Sequence, residues 1–379
     1  MATPVAQIVK VNWKLVFPWL ALFRALGLAL HGRQICVGVT AVLLIAVGER
    51  LIGGIPFPQN IPALEVGSPL ISWVLLPWVD VAYPLVSPAA FRDPVAVISR
   101  ETTGSWTWLQ PLLRFVWILV VSSLAGGVLV RRAGMEFAKE DSVGLLATIR
   151  FVMNRCVDYL SAPTLPLAAV WFLGLLLWCT GLLIRAIPDA AYLVSAAWGC
   201  ALIIGIVMAV LSIAVFLAWP MMIAAVSING GDGFDGLSRG FGFVLDRWRY
   251  YAWCVGIMAT YGSLSLLLAV EVLRLGDFFA ITSLSAGANE TYVRFLPEVL
   301  PGSVWPCSVS LVVRGFAYSF FWSSMAMIYL VLRQSLDNAE LHDIYVEGTG
   351  PESDGLPSLV NPVQPAPQSP TLLPIINQP

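Results

Sequence analysis

Apolar residues recur at steps of three and four through residues 232–251: Phe234, Leu237, Phe241, Val244, Trp248 and Tyr251. That spacing predicts one face of an α-helix. Asp235, Ser238, Arg239, Asp246, Arg247 and Arg249 fall mostly on the other faces. Asp232 is placed to cap the start, and Asp235 falls in the first turn, where a carboxylate suits the helix dipole. A helix with an apolar stripe and with aromatic and basic residues beside a membrane span is expected to lie in the interface plane.

The pattern occurs a second time 92 positions earlier, where Ser142, Leu145, Ile149, Val152, Cys156 and Tyr159 take the same places. The C-terminal ends agree best: residues 151–155 (FVMNR) match 243–247 (FVLDR), and Tyr159 matches Tyr251. Aligning Arg33 with Arg155 places Leu20, Phe23 and Leu30 on a third stripe, which Gly27 and Gln34 interrupt. The expectation is an internal repeat of three units, each an amphipathic interfacial helix that feeds a transmembrane hairpin. The interfacial helices are expected at 13–33, 142–160 and 232–251.

Long apolar runs supply the spans. They are expected at 35–51, 109–130, 165–184, 193–219, 253–273 and 305–332, six in all; a bilayer core takes about 20 helical residues. Pro163 and Pro166 are expected to end the second interfacial helix, and Pro220 to kink the long run near the inner surface. Residues 52–104 form the longest connection and are rich in proline. Within them, 70–86 is apolar but broken by Pro77 and Asp80, which favours a re-entrant or surface-lying segment over an extra span. The proline-rich tail from 348 is expected to be disordered and 1–347 to form one transmembrane domain.

Composition agrees with this class. The chain is 58% hydrophobic and only 12% charged, with a mean hydropathy of +0.81, against roughly 25% charged residues in soluble domains. Net charge is −2, so nothing points to nucleic acid. Six cysteines without a CxxC read as small buried apolar residues, and two distant histidines do not make a metal site. The N-terminal run, broken by Pro18 and Arg24, lacks the plan of a signal peptide and is expected to stay attached. Basic residues collect on one side: Lys10, Lys14, Arg24, Arg33, Arg131, Arg132, Lys139, Arg333 and the arginines of the two matched helices. The positive-inside rule makes that side cytoplasmic, which gives an inner-membrane protein with both termini inside.

Candidate chemistry is sparse. Arg150, Arg155, Arg239, Arg247, Trp248, Arg249 and Tyr251 form a candidate membrane-interface or partner face, suited to anionic lipid headgroups or a membrane protein. Arg114 and Arg314 lie inside expected spans, each followed by a serine pair. With Glu271 or Asp80 as counter-charge they would line an anion or lipid-headgroup site in the outer half of the membrane, although snorkelling or a structural ion pair is the simpler and preferred account of such arginines. Residues 229–233 (NGGDG) lack the lysine and spacing of a phosphate loop and read as a hinge. Asn289-Glu290-Thr291 fits the short glycosylation pattern. Glycines 126, 127, 174, 181, 256 and 262 read as helix-packing positions. No nucleophile–base pair, paired acidic motif or metal cluster stands out, so no enzyme and no cofactor is expected.

Asp232, Phe234, Asp235, Leu237, Ser238, Arg239, Val244, Arg247 and Tyr251, the preceding Trp219-Pro220 step and the closing stretch 331–345 (VLRQSLDNAELHDIY) resemble uncharacterised bacterial six-span membrane proteins. The general plan is similar to the YciC-type and glycerophosphodiesterase membrane-domain group. The resemblance covers about 193–345 and implies an all-α polytopic fold, with almost no implication for activity. The leading functional expectation is a non-enzymatic membrane protein that organises or regulates membrane components through its interfacial helices. The competing class is a transporter or lipid-handling carrier with an enclosed polar cavity at Arg114 and Arg314. An intramembrane enzyme has the least support.

Overall fold

The computed structural model describes residues 18–53, 74–75, 78, 109–139, 144–186, 191–287, 304–337 and 344–345. Among them nine α-helices and one 3-10 turn follow in order, with no strand. After the 3-10 turn Pro18–Phe23 come α1 (Arg24–Ala29), α2 (Gly32–Gly53), α3 (Leu109–Lys139) and α4 (Leu145–Asn154). Then come α5 (Cys156–Ala186), α6 (Ala191–Asn229), α7 (Gly233–Asp246), α8 (Trp248–Gly287) and α9 (Val304–Asp337). The chain divides into a unit of residues 1–344 and a terminal unit of 345–379, of which only Tyr345 is described. The expected segment at 70–86, apart from Val74, Leu75 and Trp78, and the expected tail from 348 lie outside the described residues.

Five helices, α2, α3, α5, α6 and α9, are long and apolar enough to cross a membrane. The protein is therefore an all-helical membrane protein by length and composition. The expected span at 253–273 lies inside α8, which is not one of those five. The helices run past the expected span limits: α3 continues to Lys139, α5 starts at Cys156 and α6 reaches Asn229. The physical reason is that Arg131, Arg132, Pro163, Pro166 and Pro220 do not end helices here. Both arginines are buried within α3, and the three prolines lie inside continuous helices, where packing and hydroxyl groups compensate the lost backbone bond. Thr164, between the first two, donates to the Leu160 carbonyl at 2.7 Å.

Helix α9 is the axis of the bundle. It packs against α1, α2, α3, α6 and α8, and every residue of its apolar core stretch is buried. A helix apolar all round is expected at such a centre. Trp322 meets Trp219 edge-on at 5.2 Å and Phe321 at 5.3 Å. Lipid tails are as apolar as leucine, so close packing rather than the hydrophobic effect holds such helices together. Glycines provide the room. Gly126 faces Trp322, Gly127 faces Tyr159 and Gly262 faces Phe320, and a methyl group at any of them would overlap the ring. Gly38 of α2 and Gly315 of α9 meet backbone to backbone; a Cβ at Gly315 would sit 2.7 Å from the Val39 amide nitrogen. The remaining expected packing glycines differ: Gly181 and Gly256 face open space, and Gly174 touches only Met208.

The interfacial helices are shorter than expected, because each long amphipathic stretch breaks at a corner. The stretch 142–160 divides at Arg155, and 232–251 divides at Arg247. The stretch 13–33 is described from Pro18, begins as 3-10 helix and turns at Leu30. Short helix, corner and long helix thus occur in three places. Burial agrees between the two better-matched copies: Phe151 and Phe243, Val152 and Val244, Tyr159 and Tyr251, and Ala162 and Cys254 are buried, whereas Met153 and Leu245 are exposed.

Candidate membrane-interface site

Helix α7 starts where Gly230 takes a left-handed turn (φ 66°) at the end of α6, a conformation that glycine adopts without strain. Asp232 caps α7, its carboxylate accepting from the Asp235 amide at 2.8 Å. Asp235 also accepts from Arg239 Nε at 2.8 Å, and this bond raises the Arg239 pKa further above its ordinary value. The arginine therefore stays charged, with Asp337 of α9 at 4.0 Å on its other side.

The face that α7 buries overlaps the apolar stripe read from the sequence only in part. Gly233, Gly236, Gly240, Phe243 and Val244 turn inward. Gly236 and Gly240 lie directly on Met222 and Val226 of α6. The glycine side allows the closer approach, so Phe234 and Trp248 of the apolar stripe are left 69% and 62% exposed. Leu245 is exposed beside them, with Arg247 and Arg249. On α4, Thr148, Phe151 and Val152 turn inward. Leu146, Ile149, Met153 and Arg150 face outward. Each short helix thus offers a mixed apolar and basic outer surface.

Two members of the expected face turn inward instead. Tyr251 is 4% exposed and its hydroxyl donates to the Leu217 carbonyl at 2.8 Å. It lies four residues past the corner, on the side of α8 that faces the bundle. Arg155 donates to the carbonyls of Gly230 and Gly231 and lies over the Phe151 ring at 5.2 Å. It thereby ties the second corner to the turn that precedes α7. This occupies residues 229–233 structurally, in keeping with a turn rather than a phosphate loop.

Behind these helices lies a buried polar layer that the sequence reading missed. Arg131 donates to the Ser227 carbonyl at 2.8 Å and sits over Phe151 at 4.1 Å. The Tyr159 and Ser227 hydroxyls are 3.0 Å apart, and Asn229 donates to the Tyr329 hydroxyl at 2.7 Å. Gln34 is fully buried and reaches the Leu129 carbonyl at 3.5 Å; at the edge of the layer the exposed His31 ring meets Glu136 at 3.1 Å. The available signal was the i, i+4 pair Arg132 and Glu136, which places charge a full turn inside a helix rather than at its end.

The intramembrane candidates are held separately. Arg114 pairs with Glu49 of α2 at 3.1 Å, both side chains more than a third exposed. Glu271 pairs with Arg274 of its own helix at 2.9 Å. Arg314 is half-buried on α9 beside Gly315 and is engaged by other groups, and Asp80 lies outside the described residues. Among the described residues, no three His, Cys, Asp or Glu side chains converge. No protein-family model, curated protein or solved structure matches the chain.

Proposed function

We propose that this chain is a non-enzymatic integral membrane protein that organises or regulates membrane components, with α4 and α7 as its working surface. One observation carries the reading. Both short helices turn small or neutral residues to the bundle and present apolar side chains beside arginines outward: Leu146 and Met153 with Arg150, and Phe234 and Leu245 with Arg247 and Arg249. Such a surface suits the boundary between headgroups and acyl chains, or a membrane-protein partner. The proposal includes six spans, with α8 as the fifth, three repeated units of short helix and hairpin, a cytoplasmic membrane location and both termini inside. The basic residues at the corners support that orientation. The resemblance to the YciC-type group is consistent with this plan and is proposed on the same footing.

The carrier reading has less support. Arg114 is engaged by Glu49, and α9 beyond Arg314 is covered on every side. A photo-crosslinking amino acid at Leu245 or at Met153, used in intact membranes, tests the surface role. Adducts with lipid or a membrane protein, reduced by Arg247→Glu with Arg249→Glu for the Leu245 probe, support it. An absence of such adducts, together with solute uptake that depends on Arg314, would favour the carrier.

A further inference from the structure

A groove opens sideways between α2, α3 and α4. Its volume is about 460 Å³, in the range of roughly 300–1,000 Å³ common to small-molecule sites. On α2 its wall is the stripe Val37, Thr40 and Leu44; on α3 it is Trp117, Val121, Leu124 and Val128. From Trp117 to Val128 a helix rises about 16 Å, close to half of a hydrocarbon core of about 30 Å. The groove is therefore one leaflet deep. Trp117 closes its far end, the indole N–H donating to the Leu44 carbonyl at 2.9 Å. Ile149 and Met153 of α4 border its near end.

Both stripes end in arginine at that near end. Arg33 stands four residues before Val37, and Arg132 four residues after Val128; each is one turn further along the same helix face. Arg33 is exposed. Arg132 is 3% exposed, and its Nε and Nη1 have no hydrogen-bond partner among the described residues. Its electrostatic neighbours are Glu136 and Arg33. Glu136 has one oxygen 3.1 Å from His31 and the other buried without a hydrogen-bond partner among the described residues, so it sets one negative charge against the two arginines, and Arg33 repels Arg132. Long helical side chains lean toward the helix N-terminus, which on α3 is the direction of Val128 and the groove, and on α2 carries Arg33 outward past the near end of the groove, where a headgroup stands. A buried guanidinium with open donors next to a second arginine calls for an anion, and phosphate is the anion that guanidinium forks match well. A phosphate attached to an acyl chain satisfies both halves of the site.

We propose that this site holds one anionic phospholipid, its phosphate at Arg33 and Arg132 and one acyl chain in the groove between α2 and α3. The proposal rests on the chain being a membrane protein and goes beyond the surface role of α4 and α7. The test is native mass spectrometry of the detergent-purified full chain with phosphatidylglycerol, with phosphatidylcholine, and with inorganic phosphate as competitor. The expected result is retention of a single phosphatidylglycerol, with phosphatidylcholine held about tenfold less: both lipids carry the phosphate, but the choline cation is repelled by the two arginines. Arg33→Gln and Thr40→Phe change exposed positions and should each reduce retention with the unfolding temperature unchanged; Arg132→Gln should reduce it at least as far. Equal retention of the two lipids, or retention untouched by Arg33→Gln and Thr40→Phe, would overturn the proposal. So would full displacement by inorganic phosphate with Thr40→Phe silent, which marks a small-anion site. Crosslinking from Leu245 on α7 is independent of this groove, so failure here and failure of the surface role are separable.

Discussion

Tyr159 and Tyr251 stand at the same step, four residues past the corners at Arg155 and Arg247, and both are buried with their hydroxyls on α6. One meets the Ser227 hydroxyl at 3.0 Å, the other the Leu217 carbonyl at 2.8 Å. Two long helices are thus pinned by the same residue type to the helix between them. At the first corner, Gln34 occupies the corresponding place four residues past Leu30 and is fully buried.

Removing either hydroxyl leaves the ring packing intact and deletes one buried hydrogen bond. Tyr159→Phe and Tyr251→Phe are each expected to cost about 1 kcal/mol, and to add when combined, because they bond to different turns of α6. Thermal unfolding of the purified protein measures this. An unchanged melting temperature in both variants would mean that these bonds do not hold the corners.

Arg155 and Arg247 align in sequence but differ in environment. Arg155 holds the Gly230 and Gly231 carbonyls, whereas Arg247 is exposed. Arg155→Ala is expected to cost roughly 1.5–3 kcal/mol, the range for hydrogen bonds to charged groups, and Arg247→Ala close to nothing. Equal effects on stability would contradict the clamp.

The buried face of α7 can be checked by a pair of truncations. Phe243 is 6% exposed and stacks on Tyr329 at 5.3 Å; Phe234 is 69% exposed. Phe243→Ala is expected to lower stability by roughly 3 kcal/mol or more, and Phe234→Ala to leave stability nearly unchanged while weakening crosslinks to lipid. The reverse order would contradict this buried face.

The meeting of Gly38 and Gly315 leaves no space for a side chain on either helix. Gly315→Val should therefore sharply reduce the amount of folded protein, whereas Gly181→Ala, facing open space, should be neutral. Expression and size-exclusion profiles of the two variants decide the point.

Much of the fold could be read from residue order because membrane spans are long apolar runs. The match of 151–155 with 243–247 is accompanied by matching burial, since Phe151, Val152 and Tyr159 are buried as are Phe243, Val244 and Tyr251. Three features escaped. The corners themselves carry no glycine or proline, so continuous helices were expected through Arg155 and Arg247. An alignment on Arg33 sets the first unit out of step, because its turn at Leu30 puts Gln34, an interruption in that alignment, at the position that the buried tyrosines take in the other two units. The packed side of α7 is not legible in periodicity, which weighs large apolar residues, while close helix contact selects Gly236 and Gly240. Of the candidate residues, Arg150, Arg247, Trp248 and Arg249 are exposed as a surface role requires, and Arg155 and Tyr251 support the corners instead.

The central claim is that the corners share one face of the membrane and that α8 crosses it. Single cysteines at Asn154, Asp246, Tyr192 and Gly287, all exposed, in a variant without the six native cysteines, test it by labelling with an impermeant maleimide from each side of the membrane. The account predicts that 154 and 246 react from the cytoplasmic side, and 192 and 287 from the other. Reaction of 154 and 246 from opposite sides, or of 246 and 287 from the same side, would contradict it.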